Sequence, residues 1–146
     1  KADFDADLPG RVAIEGRIRP LNALVYAEIK RIAGEAIVNI ARHARATSID
    51  VRISFGSRRF RMQIRDDGLG IAKAVVKAGH KPGHFGLIGM RERAEHIRGS
   101  VVIQGRPGEG TEVALTIPAN TAYDKQSHPK TSRFRWNNGI EEDFKN

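Results

Sequence analysis

The chain contains no cysteine. That excludes a disulfide scaffold, a thiolate zinc site and a cysteine nucleophile. Aromatic residues are scarce, at 6%, with a single tryptophan. No apolar run approaches the roughly 18 residues of a membrane span. The stretch Lys1–Leu8 is acidic and polar, unlike a secretory leader. The five histidines (43, 80, 84, 96 and 128) show no convincing metal spacing. There is no serine-centred nucleophile elbow and no Walker A loop.

What is present is basic charge. The chain of 146 residues carries 25 Lys and Arg against 17 Asp and Glu, a net charge of +8. The excess favours an anionic partner: nucleic acid, a phospholipid surface or nucleotide phosphates. A basic tail does not explain it, because residues 119–146 hold five basic and four acidic residues. The length suits one domain. Apolar residues at 40% and charged residues at 29% are ordinary for a globular protein.

Hydrophobic spacing divides the chain. Val12, Ile14 and Ile18 alternate with polar residues and end at Pro20, which predicts a short edge strand within a lead-in of residues 1–20. Apolar residues then recur at three- and four-residue steps from Leu21 to Ala44, which predicts a long helix capped by Asn22. Ile49, Val51, Ile53 and Phe55, then Phe60, Met62 and Ile64, alternate with polar residues on either side of Gly56-Ser57. This predicts a β-hairpin with one packed and one solvated face. Residues 71–86 read as a loop with one helical turn at 72–78. Leu87, Met90, Ala94 and Ile97 mark a second helix closed by Gly99. A second hairpin follows and ends at Pro118. From 119 the chain reads as a polar tail or linker, in which Phe134, Trp136 and Phe144 are the residues able to dock. Strands come in adjacent pairs rather than βαβ units, so the expected fold is an α+β two-layer sandwich. Its helices should lie on one face of a mixed, mainly antiparallel sheet.

Four clusters can carry chemistry. Glu35, Asn39, Arg42 and His43 share a helix flank and offer oxygen donors and cations to Mg²⁺ and polyphosphate. Asp66-Asp67-Gly68-Leu69-Gly70 places carboxylates and flexible turns at a strand end, where an Asp can accept from an exocyclic amine. Gly83 to Gly89 opens the second helix, whose free N–H groups form an anion site. There are no acids from Gly68 to Arg91, while Lys73, Lys77 and Lys81 are present, as a lid over phosphates would require. Gly108-Glu109-Gly110-Thr111 sits in a hairpin turn. Taken singly, each also fits a plain role: a solvated helix flank, an Asp-Gly turn, a surface loop, a hairpin turn.

In this order and spacing the four segments resemble the ATP-binding catalytic domain of bacterial two-component sensor histidine kinases. That domain's superfamily also contains DNA gyrase, the ATPase heat-shock chaperones and the MutL repair proteins. The stretch EAIVNIARHA from Glu35 resembles the N box, DDGLGI from Asp66 the first glycine box, and GHFGLIGMRERA from Gly83 the second glycine box of the nitrate-sensor-like subgroup. GEGT from Gly108 resembles the closing Gly-Thr element.

The resemblance, which spans about Tyr26 to Pro118, implies the site by matching position. Asn39 would ligate Mg²⁺ and Glu35 would be the general base or polarising residue. Arg42 and His43 would meet phosphates. Asp66 would bind the adenine amino group with Thr111 in support, and Gly68, Gly70 and Ile71 would border the base and give it room. Gly86, Leu87 and Gly89 would hold phosphate beneath a lid of residues 72–85. It also implies a parent homodimer, a His-bearing dimerisation domain, a response regulator, a cytoplasmic setting with or without a membrane anchor, and no nucleic-acid partner. About twenty residues precede the first helix and contain no histidine, so the chain is expected to be a catalytic domain separate from its phosphoacceptor. The alternatives are an anti-sigma-type serine kinase or stand-alone ATPase of the same fold, a nucleotide-binding scaffold without turnover, and a basic nucleic-acid-binding module. Low aromatic content and the lack of a base-reading motif weigh against the last.

Overall fold

The structure, a computed structural model, describes residues 8–70, 86–125, 134–137 and 140–143. The expected helical turn at 72–78 lies outside them.

The elements are β1 (Gly10–Gly16), α1 (Ala23–Asn39), a π turn (Ile40–Ala44), β2 (Ile49–Phe55), β3 (Arg59–Asp66), α2 (Gly86–His96), β4 (Ser100–Arg106), β5 (Gly110–Pro118), α3 (Ala119–Ala122), β6 (Phe134–Asn137) and β7 (Ile140–Asp143). The first five strands form one sheet in the order β1-β2-β3-β5-β4. Only β1 with β2 is parallel; the other three pairings are antiparallel. The mixed sheet with helices on one face is the expected α+β sandwich.

Periodicity accounts for the layers. On α1, Val25, Ile29, Ile32 and Ala36 are buried at helical spacing, and Ile40 continues the line. The Asn22 side-chain oxygen accepts from the Leu24 and Val25 N–H groups at 3.0 and 3.4 Å, the expected cap. From α2, Leu87, Met90 and Ala94 enter the same core. The sheet meets them with Phe60, Met62 and Ile64 from β3, which pair across the ladder with Ile117, Leu115 and Val113 of β5. The alternate residues of β2 and β3 form the outer face, where Arg52, Arg59, Arg61 and Arg65 are exposed. The arginines of this hairpin therefore lie on the sheet face away from the helices.

The helix departs from its expected course at one place. The α-helix ends at Asn39, and residues 40–44 wind as a π turn closed by Arg45 in the left-handed region (φ 49°). Such turns add a residue per hydrogen bond and re-aim the side chains that follow.

The packing does not stop at the boundary expected at Pro118. Ala122 and Tyr123 are buried in the same core. The Tyr123 hydroxyl donates to the Gly56 carbonyl at 2.6 Å, and the Arg19 guanidinium lies 4.1 Å from its ring centre. Backbone bonds from Asn22 to Ala122 and from Asp124 to Pro20 stitch the lead-in to this segment. Further on, β6 and β7 pair antiparallel, from Phe134 with Asp143 to Asn137 with Ile140. The polar tail thus contains a hairpin. Its sequence signal is the Asn138-Gly139 pair between the two strands, the strongest short hairpin signal known.

Candidate functional site

The same alternation that buries Phe60, Met62 and Ile64 carries Asp66 to the inner face at the end of β3. Asp66 is the one charged residue among the buried polar groups described, at 3% exposure. One step past the last ladder pair, Arg65 with Glu112, the register brings it opposite Thr111. Its Oδ1 accepts from the Gly68 N–H at 2.8 Å, and the Thr111 N–H also donates to the carboxyl. Burial pushes the Asp66 pKa up, and these two bonds oppose the rise without cancelling it.

Asp66 lies in the wall of a cleft whose other walls are Ala36, Asn39, Ile40 and Ala44, then Leu87 and Met90, then Ile64, Ile103, Thr111 and Val113, with Gly70 at the turn. The cleft holds about 450 Å³ measured out to its open mouth. It is narrow, apolar and provided with one convergent carboxyl, a form suited to a flat heteroaromatic ring with a polar edge.

At one margin of the cleft, the start of α2 comes close to the α1 flank. A Cβ placed on Gly86 would stand 2.6 Å from Glu35 Oε2 and 3.3 Å from Asn39 Nδ2. A side chain here would push the end of the Glu35 side chain aside. The two helices run antiparallel, and a second tie lies two turns from the first. There the Glu28 carboxylate sits 3.7 Å from Arg93 and 3.5 Å from Arg31.

The structure therefore brings Asn39, Asp66, Gly70, Leu87 and Thr111 to one cleft, with Glu35 and Gly86 at its margin. Arg42 is exposed on the π turn and does not line the cleft. A Cβ at Gly89 would stand in open space. Ile71, residues 72–85 and the His43 side chain lie outside what is described.

At the turn glycines backbone packs closely on one side, while Gly70 also lines the cleft. A Cβ on Gly68 would meet the Ala44 carbonyl oxygen at 2.1 Å, and one on Gly70 the Arg106 carbonyl oxygen at 2.0 Å. The turn is wedged between the end of α1 and the β4–β5 hairpin. Bonds from Leu69 N–H to Ala44 O at 2.7 Å and from Gly108 N–H to Leu69 O at 2.6 Å complete the wedge. Sequence reasoning also passed over the apolar lining. Ala36, Ile40, Ile64, Met90, Ile103 and Val113 read as core and are core, but they also face the cleft.

A two-layer sandwich that holds one buried carboxyl in an apolar cleft, bordered by a glycine-rich turn and a glycine-opened helix, defines a class of nucleotide-binding domain. Residues 25–121 match the family described as histidine kinase-, DNA gyrase B- and HSP90-like ATPase, and the chain belongs to that family. It is 35% identical over 91 residues to the signal transduction histidine-protein kinase/phosphatase DegS of Brevibacillus brevis, covering 62% of this chain and 22% of that protein. It is 32% identical over 111 residues to the nitrate/nitrite sensor protein NarX of Escherichia coli K12, covering 75% of this chain and 18% of that protein. The chain thus spans about a fifth of the length of these relatives. In fold it resembles the histidine kinase domain of the blue-light activated histidine kinase from Erythrobacter litoralis EL346. That likeness has a TM-score of 0.60 and 19% identity, over 76% of this chain and 52% of that one.

Proposed function

We propose that this chain binds Mg²⁺-ATP and acts as the catalytic domain of a sensor histidine kinase. It would pass the γ-phosphoryl group to a histidine on a separate dimerisation domain, from which a response regulator takes it. The parent would be a homodimer with this domain in the cytoplasm. The observation that carries the reading is Asp66: a buried carboxyl, held by two backbone donors, at the wall of an apolar cleft in a chain of this ATPase family.

The roles follow from placement. The ionised Asp66 accepts from the adenine amino group, and Thr111 holds that carboxyl in place. Ile64, Met90, Ile103 and Val113 cover the ring faces. The first N–H groups of α2, at Gly86 and Leu87, have no partner within the helix and would hold phosphate. Among the described residues no group of three His, Asp or Glu could hold a metal alone. Mg²⁺ does not need one, because it keeps waters and shares phosphate oxygens with one or two protein ligands. Asn39, beside Glu35 at the start of α2, fits that sparse role. When bound, the ion would neutralise phosphate charge. Glu35 would polarise the incoming imidazole. Among the described residues no helix is long and apolar enough to cross a membrane.

Calorimetric titration with Mg²⁺-ATP tests the reading, and absence of binding overturns it. Asn39→Ala should weaken Mg²⁺-ATP by about tenfold, the weight of one hydrogen bond or ligand to a charged group, and leave adenosine affinity nearly unchanged. Adenosine affinity should fall as the pH is lowered. Asp66 has a raised pKa, so it takes up its proton above the usual carboxylate range and then loses its acceptor character. A pH-independent adenosine affinity down to pH 4 would remove Asp66 from the base-binding role.

A further inference from the structure

Asp66 is the last residue of β3 and Asp67 the first beyond it, and their carboxylates take different partners. Asp67 is exposed and is absent from the lining of the cleft; it borders a groove on the other side of the turn with Arg11, Asp50 and Arg65. Its carboxylate is nevertheless fully engaged. Oδ1 accepts from the Thr47 N–H at 2.8 Å and from the Ser48 N–H at 3.0 Å, and Oδ2 accepts from the Thr47 hydroxyl. These bonds hold the Asp67 pKa well below the usual carboxylate range.

The bonded residues belong to the four-residue link, Arg45 to Ser48, that joins the π turn to β2. That link follows Ala44, whose carbonyl accepts from Leu69 N–H and abuts Gly68. The end of α1 and the Asp66–Gly70 turn are thus tied at two levels: backbone to backbone at Ala44, and side chain to backbone at Thr47 and Ser48. The two bodies so joined are opposite walls of the cleft. Asn39, Ile40 and Ala44 line one wall, and Asp66 and Gly70 line the other.

We propose that Asp67 is a positioning residue for the nucleotide site, clasping the Arg45–Ser48 link so that the wall bearing Asn39 keeps its distance from the wall bearing Asp66. Asp67 touches no ligand and acts through the link. The inference rests on the nucleotide-binding reading above, and wild-type titration separates the two. If wild-type protein binds no Mg²⁺-ATP, that reading fails. If wild type binds, the variants decide on the clasp.

The experiment is calorimetric titration of the 146-residue chain with Mg²⁺-ATP at about 10 °C, with circular dichroism verifying that each variant is folded. Asp67→Ala should weaken binding about tenfold. Asp67→Asn keeps an oxygen acceptor for the two N–H groups and should stay within about threefold of wild type. A residue that merely adds stability would lower the melting temperature and leave the affinity of folded protein alone. Equal affinity of Asp67→Ala and wild type overturns the proposal, as does an Asp67→Asn loss equal to that of Asp67→Ala. A second measurement needs no variant. Hydrogen exchange of the Thr47 and Ser48 amides in wild type should be slow and should slow further with Mg²⁺-ATP. Fast exchange, or exchange that the nucleotide does not change, overturns the clasp even if Asp67→Ala fails to fold.

Discussion

Replacing Asp66 with Asn should weaken ATP binding by about ten- to a hundredfold and leave the fold at least as stable as before. The two effects have one cause. A carboxylate in an apolar cleft accepts a strong bond from an amine, and losing a bond to a charged group costs about 1.5–3 kcal/mol. The same burial penalises the charge during folding, which is why the Asp66 pKa is raised. A raised carboxyl pKa means that the folded state holds its proton more tightly than the unfolded chain does. The penalty is therefore present at neutral pH, declines as the pH falls through the folded pKa, and is gone below the unfolded value near 3.8. Asparagine never pays it, and its oxygen can still accept from Gly68 N–H. Thermal melts at pH 7 and pH 4 beside ATP titrations check both halves. A variant that melts many degrees lower at pH 7 would show that the carboxylate is structural.

Gly110→Ala should have the larger effect on folding, about 3 kcal/mol or more, from a total that is commonly 5–15 kcal/mol. Two costs coincide there. Gly110 has φ +84°, a conformation that L side chains resist. A Cβ would also stand 2.0 Å from the Asp66 carbonyl oxygen and 3.1 Å from Asp67 Cα. Those atoms are backbone in the central strand and its turn, so they have little room to yield. A melting temperature lowered by more than about 10 °C, or loss of soluble protein, is the expected result. Gly89→Ala is the internal contrast. It lies in α2 with open space around the new methyl group, and helix propensity favours alanine by up to about 1 kcal/mol. If both variants melt like wild type, close backbone packing does not explain the turn glycines.

Much of this was legible in the sequence because alternation and helical spacing are local. Phe60, Met62 and Ile64 fix the inner face of β3, and two more residues bring Asp66 to the same side. Asn22 announced its helix, and the four glycine- and Asn-bearing segments marked the family. What was not legible depends on contacts between distant segments. Nothing near Gly68 says that the Ala44 carbonyl will press on it, because the two lie 24 positions apart in the chain. The role of Tyr123 depends on Gly56, far upstream, so a polar segment hid a buried ring. The partners of Asp67, Thr47 and Ser48, lie some twenty positions upstream and leave no local mark beside it. In sequence the β6–β7 hairpin reads as a polar tail or linker, because the residues around its local Asn138-Gly139 signal are mostly polar.

The π turn has a consequence for how this domain tolerates changes in chain length. A π hydrogen bond closes over one residue more than an α bond, so Ile40–Ala44 behaves as an α-helical end with one residue inserted. Removing a residue from that stretch would restore a regular helix and look harmless by propensity. It would also draw the chain back by one position before Ala44, so that the carbonyl offered to Leu69 and the link held by Asp67 would no longer arrive in register. A one-residue deletion within Ile40–Ala44 should thus lower stability and nucleotide affinity together, even though it leaves a better helix behind.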